Sequence, residues 1–136
     1  MRLTRQQLNA MIEHARASLP NEACGILAGS GDTVSDVYCL ENAHHSPVSY
    51  ELTGDGYRLL LQLDDTGRLL GVFHSHTHSE AYPSPTDRRL ALWPIRYVVI
   101  SLRDMAHPVV RVFRIAKNDP FDVNDLGVVT EEELEM

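Results

Sequence analysis

Two histidines separated by one residue end an apolar run, and they are the leading candidates for chemistry in this chain. The run extends from Leu69 and closes as His74-Ser75-His76. Alternate side chains of a β-strand point to the same face, with Cα atoms about 7 Å apart, so both imidazoles can reach one ion. Asp87 follows and can supply a third ligand. Three protein ligands and one water are typical of a catalytic zinc site.

Each part of this pattern has an ordinary structural explanation when it is taken alone. A His-x-His pair on a strand is as typical of a polar surface as of a metal site. The segment Ser84–Asp87 is a typical helix start, with a serine N-cap, a proline in the first turn and an acid soon after. Glu22 opens an otherwise apolar strand, where an acid paired with an arginine is the ordinary interpretation. The informative signal is the joint pattern of an upstream glutamate and His-x-His-x7-Ser-x2-Asp.

Length and charge limit the function classes. The chain has 136 residues, of which 43% are hydrophobic, and a formal net charge of −7. We expect a single domain over residues 1–136, with residues 117–136 forming an acidic, weakly patterned tail. An acidic chain without a basic cluster argues against nucleic acid as the main partner.

Cysteine usage and hydropathy predict a cellular location. Cys24 and Cys39 form no CxxC motif, and reduced thiols are the expected state. The N-terminal residues are polar, so no signal peptide is expected. No apolar run is long enough to cross a membrane. We therefore expect a soluble cytoplasmic protein with no membrane partner.

Hydrophobic periodicity predicts helices interleaved with strands. The first helix is expected over Thr4–Leu19, with His14 on its solvent face. A second helix is expected to start at Thr53 or Asp55 and to end at the following turn. A third is expected from Ser84 to the break at Pro94. Strands are expected at 24–29, 33–40, 69–76, 97–102 and 109–116, with a short strand at 50–52 and an edge strand near Val123 or Val128. This order predicts an α/β (α+β) fold in which helices flank a mixed central sheet.

The joint pattern resembles the JAMM or MPN-plus family of zinc metalloproteases. That family places a glutamate near its first strand, followed by His-x-His-x7-Ser-x2-Asp, and the matching positions here are Glu22, His74, His76, Ser84 and Asp87. The flanking segments 19–29 and 71–76 are also similar to the family. The resemblance covers about residues 3–115. In chain length and local sequence, the chain most resembles the small actinobacterial Mec-type peptidases. The resemblance implies a JAMM/cytidine-deaminase-like architecture.

The resemblance also implies a role for each residue of the motif. His74, His76 and Asp87 would hold Zn²⁺, for which two imidazoles and a carboxylate are suitable ligands. A water would take the fourth position, and Glu22 would carry its proton to the leaving amine. Ser84 would donate a hydrogen bond to the oxyanion.

The function implied is that of a zinc isopeptidase or amidase. Its substrate would be a ubiquitin-like sulfur-carrier protein whose C-terminal Gly-Gly bears an amino acid, with cysteine released in cysteine biosynthesis. The extended tail would lie in a groove between segments 43–55 and 77–83, held by main-chain hydrogen bonds. Whether the chain forms a homodimer is left open.

Three histidines of the active-site region depart from the pattern or fall outside it. The family usually has proline after the second histidine, whereas Thr77 and His78 follow here. His78 would share the metal face if the strand continued, but the chain is expected to turn before it. His44 and His45 lie in a loop and are expected at the surface or in the substrate groove.

Several other functions are consistent with parts of the sequence. A general peptidase that processes or deconjugates ubiquitin-like proteins, and a non-catalytic MPN-type binding module, both fit the same fold. A metallo-β-lactamase needs His-x-His-x-Asp-His and a cytidine deaminase needs Pro-Cys-x-x-Cys, and both motifs are absent. A cupin using His74, His76 and Glu80 would need an all-β barrel, which the helical patterns oppose.

Overall fold

A six-stranded mixed sheet carries the fold. The computed structural model describes residues 1–136. The helices are α1 (Arg5–Ser18), α2 (Gly54–Asp65) and α3 (Pro85–Arg89). The strands are β1 (Cys24–Ser30), β2 (Thr33–Leu40), β3 (Leu69–His76), β4 (Arg96–Ser101), β5 (Val109–Ala116) and β6 (Val128–Glu132).

The strand order is β2-β1-β3-β4-β5-β6, which places β3 and β4 at the centre. These two strands run parallel, and every other neighbouring pair is antiparallel. A mixed sheet with three helices confirms the predicted fold class. Strand β3 therefore has a hydrogen-bonded strand on each edge.

The two faces of the sheet carry separate apolar cores. On one face, Met11 and Ala15 of α1 pack with Phe73 of β3 and its neighbours. On the other face, Leu60 and Leu63 of α2 pack with the side chains of alternate residues in β1, β3 and β4. Alternation along β3 places Val72 on the α2 face, and therefore His74 and His76 as well.

Side-chain caps begin both long helices as predicted. Thr4 Oγ1 accepts a hydrogen bond from the Gln7 amide at 3.1 Å, and the Gln7 side chain accepts one from the Thr4 amide at 2.9 Å. The N-cap of α2 is Thr53, whose Oγ1 accepts from the Gly56 amide at 3.1 Å. These bonds satisfy amide groups that a helix start otherwise leaves without partners.

The prediction for α3 was wrong in length, because this helix ends at Arg89 and does not continue to Pro94. A contact across the following connection explains the difference. The Tyr97 hydroxyl accepts from the Trp93 amide at 3.1 Å and donates to the Trp93 carbonyl at 2.8 Å. Tyr97 therefore holds this segment in a turn that leads into β4.

Two further predictions were wrong. His14 does not point into solvent, because its Nε2 lies 3.1 Å from the carbonyl oxygens of both Cys24 and Leu40 and so joins α1 to the first two strands. The segment 50–52 is not a strand and makes only an isolated bridge between Asn42 and Leu52.

The C-terminal segment pairs with the sheet and with the N-terminus. The edge strand expected near Val128 is present as β6. Beyond it, the Met1 amine donates to the Glu133 carbonyl at 3.0 Å, and the Leu3 amide donates to the Glu135 carbonyl at 2.9 Å. The Arg2 amide donates to the Asp32 carbonyl at 2.7 Å, beside β2. Residues 1–3 thus connect the two edges of the sheet. No helix has the length and apolar character needed to cross a membrane.

Candidate metal centre and active site

The two histidines lie at the end of β3, the strand predicted to carry them. His74 is opposite Cys24 of β1 and Val99 of β4, so it has a paired strand on each side. Both imidazoles are nearly inaccessible, with 1% of His74 and 4% of His76 exposed. Their rings lie 4.9 Å apart on the α2 face of the sheet.

Asp87 reaches this face from the first turn of α3. The Ser84 hydroxyl accepts from the Asp87 amide at 3.1 Å, and Asp87 Oδ2 accepts from the Ser84 amide at 2.9 Å. The same Oδ2 lies 3.0 Å from His74 Nε2 and 3.1 Å from His76 Nε2. The capping box therefore aims one carboxylate oxygen at both imidazoles while it starts the helix.

The three candidate ligand atoms form a nearly equilateral triangle. The third side, from His74 Nε2 to His76 Nε2, is 3.1 Å. A tetrahedral zinc ion with bonds of about 2.0 Å separates its ligand atoms by about 3.3 Å. Two buried imidazole nitrogens and a carboxylate oxygen facing one point also match the donor preferences of zinc. The residues present therefore fit a zinc ion.

The two imidazole rings are oriented by different contacts. His76 Nδ1 donates to the Glu80 carbonyl at 2.8 Å, which leaves the Nε2 lone pair directed at the candidate metal position. His74 Nδ1 is buried without a hydrogen-bond partner. The His74 ring instead stacks on Tyr50, with centroids 4.6 Å apart and an interplanar angle of 19°. Stacking therefore fixes the plane of this ring.

Glu22 lies just before β1 and is 5% exposed, with Oε1 buried and without a hydrogen-bond partner. Burial raises the pKa of its carboxyl group from 4.5 to about 7, against the lowering effect of His74 and His76. Ser75 fixes the adjacent backbone, because its hydroxyl accepts from the Ala23 amide at 2.7 Å. An acid with a pKa near neutrality can both accept and donate a proton at physiological pH.

Asp87 has the opposite electrostatic character. Burial alone would raise the pKa of its carboxyl group, but the charge of His74 and hydrogen bonds with His74, His76 and the Ser84 amide hold this pKa well below its usual range. Burial lowers the pKa of His76, and hydrogen bonding to Asp87 and Glu80 outweighs that effect and raises it. Asp87 is therefore a permanent anion, as a metal ligand must be.

A cavity of about 380 Å³ opens beside Asp87. Its walls are largely apolar and aromatic and come from the loop after β2, from α2 and from the connection between α3 and β4. The aromatic and aliphatic lining includes Tyr50, Leu60, Trp93 and Tyr97, and the polar lining includes His44 and Glu51. The predicted wall 43–55 thus lines the cavity, whereas segment 77–83 does not contribute to it.

The remaining histidines lie outside the ligand triangle. His78 is exposed, because β3 ends at His76 as expected. His44 lies at the cavity, with Nδ1 3.0 Å from Ser49 Oγ and Nε2 3.0 Å from Glu51 Oε2. His45 is exposed in the same loop, 3.4 Å from Glu41.

Sequence reasoning missed three residues that shape the site, namely Tyr50, Asn42 and the Glu80 carbonyl. Tyr50 and Asn42 lie in the loop after β2, and no periodicity marks them. Their contacts join segments far apart in the chain, so only the folded structure reveals them. An aromatic residue within an otherwise polar loop was the one available signal for Tyr50.

Comparison with known proteins identifies the family. The chain matches the prokaryotic homologues of the JAB domain over residues 4–116. The chain belongs to this family, the JAMM family. It is 38% identical to the CysO-cysteine peptidase of Mycobacterium tuberculosis over 130 residues, covering 92% of this chain and 83% of that protein. On this basis the chain is a JAMM-type hydrolase.

Two further relatives carry other functional names. The desampylase of Haloferax volcanii is 36% identical over 95 residues, covering 63% of this chain and 68% of the relative. A probable TtuB-protein conjugate cleaving protease of Thermus thermophilus is 37% identical over 97 residues, covering 65% and 64%. The relatives that this chain matches thus carry different functional names.

Solved structures agree with this assignment. A Desulfitobacterium hafniense protein solved in solution has a TM-score of 0.76 and 39% identity, covering 98% of this chain and 90% of the other. A JAMM structure described as a metalloprotease-like zinc site in the proteasome and signalosome has a TM-score of 0.58 and 19% identity, covering 99% and 95%. The second likeness concerns the fold alone.

Proposed function

We propose that this JAMM hydrolase is a zinc isopeptidase or amidase that cleaves the bond after the C-terminal glycine of a ubiquitin-like sulfur-carrier protein. The attached group would be a single amino acid, with cysteine as the expected product. The observation that carries the proposal is the convergence of His74, His76 and Asp87 beside a buried, unpartnered Glu22. The names of the relatives supply the substrate class.

In this proposal, His74, His76 and Asp87 hold the zinc ion. Zinc, when bound, would lower the pKa of a coordinated water to about 7. Glu22 would accept the proton of the attacking water and transfer it to the leaving amine, which its raised pKa suits. The Ser84 hydroxyl accepts from the Asp87 amide and keeps its own proton to donate to the oxyanion.

The cavity beside Asp87 would receive the C-terminal tail of the carrier. Its apolar walls, including Leu60, Trp93 and Tyr97, suit the aliphatic part of an extended peptide. The polar residues His44 and Glu51 would contact its main chain or the attached amino acid. A Gly-Gly terminus has no side chains, so it would need less room between these walls than any other dipeptide.

We also propose that the chain acts in the cytoplasm on a sulfur-carrier partner. Cys24 and Cys39 are both free thiols, which is typical of a reducing compartment and supports the cytoplasm. The sulfur carrier would dock at the cavity mouth.

The test is cleavage of defined conjugates followed by mass spectrometry. Purified sulfur carriers bearing C-terminal cysteine are incubated with the zinc-loaded protein, with and without a chelator. We expect loss of one cysteine from the carrier, which the chelator abolishes and added zinc restores. Unchanged conjugates across the panel would contradict the proposal, and so would cleavage that a chelator does not affect.

A second candidate function is deconjugation of carriers from protein lysines. The relatives from Haloferax volcanii and Thermus thermophilus favour it by their names. The same assay with a carrier linked through its terminal glycine to a lysine side chain separates the two. A higher rate for the amino-acid conjugate supports the first proposal, and a higher rate for the lysine-linked conjugate supports the second.

A non-catalytic binding module is distinguished by Glu22→Gln. This variant would bind the conjugate as the wild type does, whether the chain is an enzyme or a binding module. If the chain is an enzyme, Glu22→Gln abolishes cleavage while zinc remains bound. His78→Ala, which changes an exposed histidine near the site, is the matched control and should cleave normally.

A further inference from the structure

Asn42 is a buried polar residue that joins the loop after β2 to the backbone of Glu22. It is 7% exposed, and its side chain makes four hydrogen bonds. Its Nδ2 donates at 3.0 Å to the Glu22 carbonyl and at 3.0 Å to the Ser49 carbonyl. Its Oδ1 accepts from the His44 amide at 3.0 Å and from the Glu51 amide at 3.2 Å. Two amide protons and two acceptor directions are the full capacity of an asparagine.

These four bonds divide into two groups with different effects. The bonds to His44, Ser49 and Glu51 fold the loop over residues 42–51, here called the Asn42 loop. The bond to the Glu22 carbonyl attaches this loop to the residue that carries the proposed general base. No other side chain of the structure hydrogen-bonds both the Glu22 backbone and this loop.

Other contacts make the Asn42 loop and the active site one unit. The Glu22 amide donates to the Ser46 carbonyl at 2.8 Å, so the loop contacts both backbone groups of Glu22. The Thr77 hydroxyl donates to the Pro47 carbonyl at 3.1 Å, beside the end of β3. Tyr50 from the loop stacks on His74. The same loop supplies part of the cavity wall.

We infer that Asn42 is a positioning residue that holds Glu22 in register with the cavity wall and the ligand histidines. This inference rests on the proposed function, because Glu22 matters as the base of that reaction. The Glu22 carboxylate has no hydrogen bond at Oε1 to hold it. Its position therefore depends on the backbone, which Asn42 and Ser75 fix from opposite sides.

Asn42→Asp tests this inference because it preserves shape and the acceptor oxygen. The carboxylate that this variant places in the loop retains acceptors for the His44 and Glu51 amides, but it cannot donate to the Glu22 and Ser49 carbonyls. Asn42→Ala removes the side chain without adding charge and separates the lost bonds from electrostatic effects. Asn118→Asp, at an exposed position, is the control for the change in charge.

Kinetics on the cysteine-carrier conjugate are the first readout. Loss of a buried hydrogen bond at a positioning residue should lower kcat at least about tenfold. We expect KM to stay within about threefold of the wild-type value. A tenfold rise in KM would correspond to the loss of a whole contact with the substrate. Bound zinc should stay at the wild-type level in both variants. An unchanged kcat with zinc bound, or a change confined to KM, would overturn the inference.

Amide hydrogen exchange of the metal-free protein, measured by NMR, is the second readout and does not depend on activity. If Asn42 couples the loop to Glu22, the Glu22 and Ala23 amides should exchange at least about tenfold faster in Asn42→Asp and Asn42→Ala. The exchange rates of the α2 amides should be unchanged in these two variants. All exchange rates measured here should be unchanged in the Asn118→Asp control. Wild-type protection at Glu22 in both variants would overturn the inference, even if no conjugate is cleaved by the wild type. Failure of wild-type cleavage alone would overturn the proposed function instead.

Discussion

The two sides of the candidate metal centre are held by different kinds of structure. His74 and His76 extend from β3, which is hydrogen-bonded to a strand on each edge. Asp87 lies in a helix of five residues and Ser84 is its N-cap, and the two residues position each other through a capping box. The strand side therefore depends on the whole sheet, whereas the helix side depends on bonds within four residues. Substitutions on the strand side should disturb fold and site together, and those on the helix side mainly the site.

The two carboxyl groups of the site, Glu22 and Asp87, differ in the direction in which their surroundings shift the pKa. Asp87 faces two imidazoles and a backbone amide, which hold its pKa well below the usual range in spite of burial. Burial is the dominant influence on the pKa of Glu22 and raises it to about 7. One site thus contains a permanent anion suited to a metal and a titrating acid suited to proton transfer.

The largest effect is expected for His76→Ala on the strand side. Removing one of three ligand atoms should abolish zinc binding and cleavage together, because the two ligands left cannot hold a catalytic zinc. Zinc content after desalting, measured by elemental analysis, checks this. His78→Ala should retain both properties. A His76→Ala protein that keeps one zinc per chain would show that the metal lies elsewhere.

Ser84→Ala tests the helix side and should have the next largest effect. Loss of one oxyanion donor lowers kcat by about 10²–10³. Loss of the N-cap should lower the free energy of unfolding by only about 1 kcal/mol. Steady-state kinetics and chemical denaturation measure the two quantities. A large loss of stability with little change in kcat would contradict the assignment of Ser84 to the reaction.

Ser75→Ala is the corresponding test of the strand side. This change leaves the buried Ala23 amide without its partner and should lower the free energy of unfolding by about 1–3 kcal/mol. Urea denaturation of the metal-free protein measures this. Ser30→Ala, at the exposed end of β1, should be nearly neutral. Equal stability of the two variants would refute the role given to Ser75.

A pH dependence of stability is also expected, and Glu22 is its source. The folded metal-free chain keeps a proton on Glu22 up to about pH 7, whereas the unfolded chain releases it near 4.5. The Glu22 contribution to the free energy of unfolding therefore falls as pH rises from 4.5 to about 7 and stays low above that. The difference between wild type and Glu22→Gln, measured by denaturation at several pH values, should follow this curve. A difference independent of pH would contradict the raised pKa.

Local sequence signals predicted the elements that depend on local bonds. Thr4, Thr53 and Ser84 all cap helices as their types suggest, and the apolar run ending at His76 is the central strand. The ligand triangle was also within reach of the sequence, because its spacing places two ligands on one strand face and a third on a capped helix.

Features that depend on distant segments were not predictable. The length of α3 is set by Tyr97, which bonds Trp93 from the next strand. His14 was expected in solvent but lies against carbonyl groups of β1 and β2. The roles of Asn42 and Tyr50 arise because the loop after β2 folds back onto Glu22 and His74. Sequence periodicity carries no information about such contacts.

Diffraction from zinc-loaded Glu22→Gln crystals at the zinc absorption edge would locate the metal relative to its three proposed ligands. We expect one anomalous peak within about 2.0–2.2 Å of His74 Nε2, His76 Nε2 and an Asp87 carboxylate oxygen. We also expect residue 22 to lie beside the fourth ligand position. A zinc peak at another site, or no peak between the three proposed ligands, would contradict this placement of the metal.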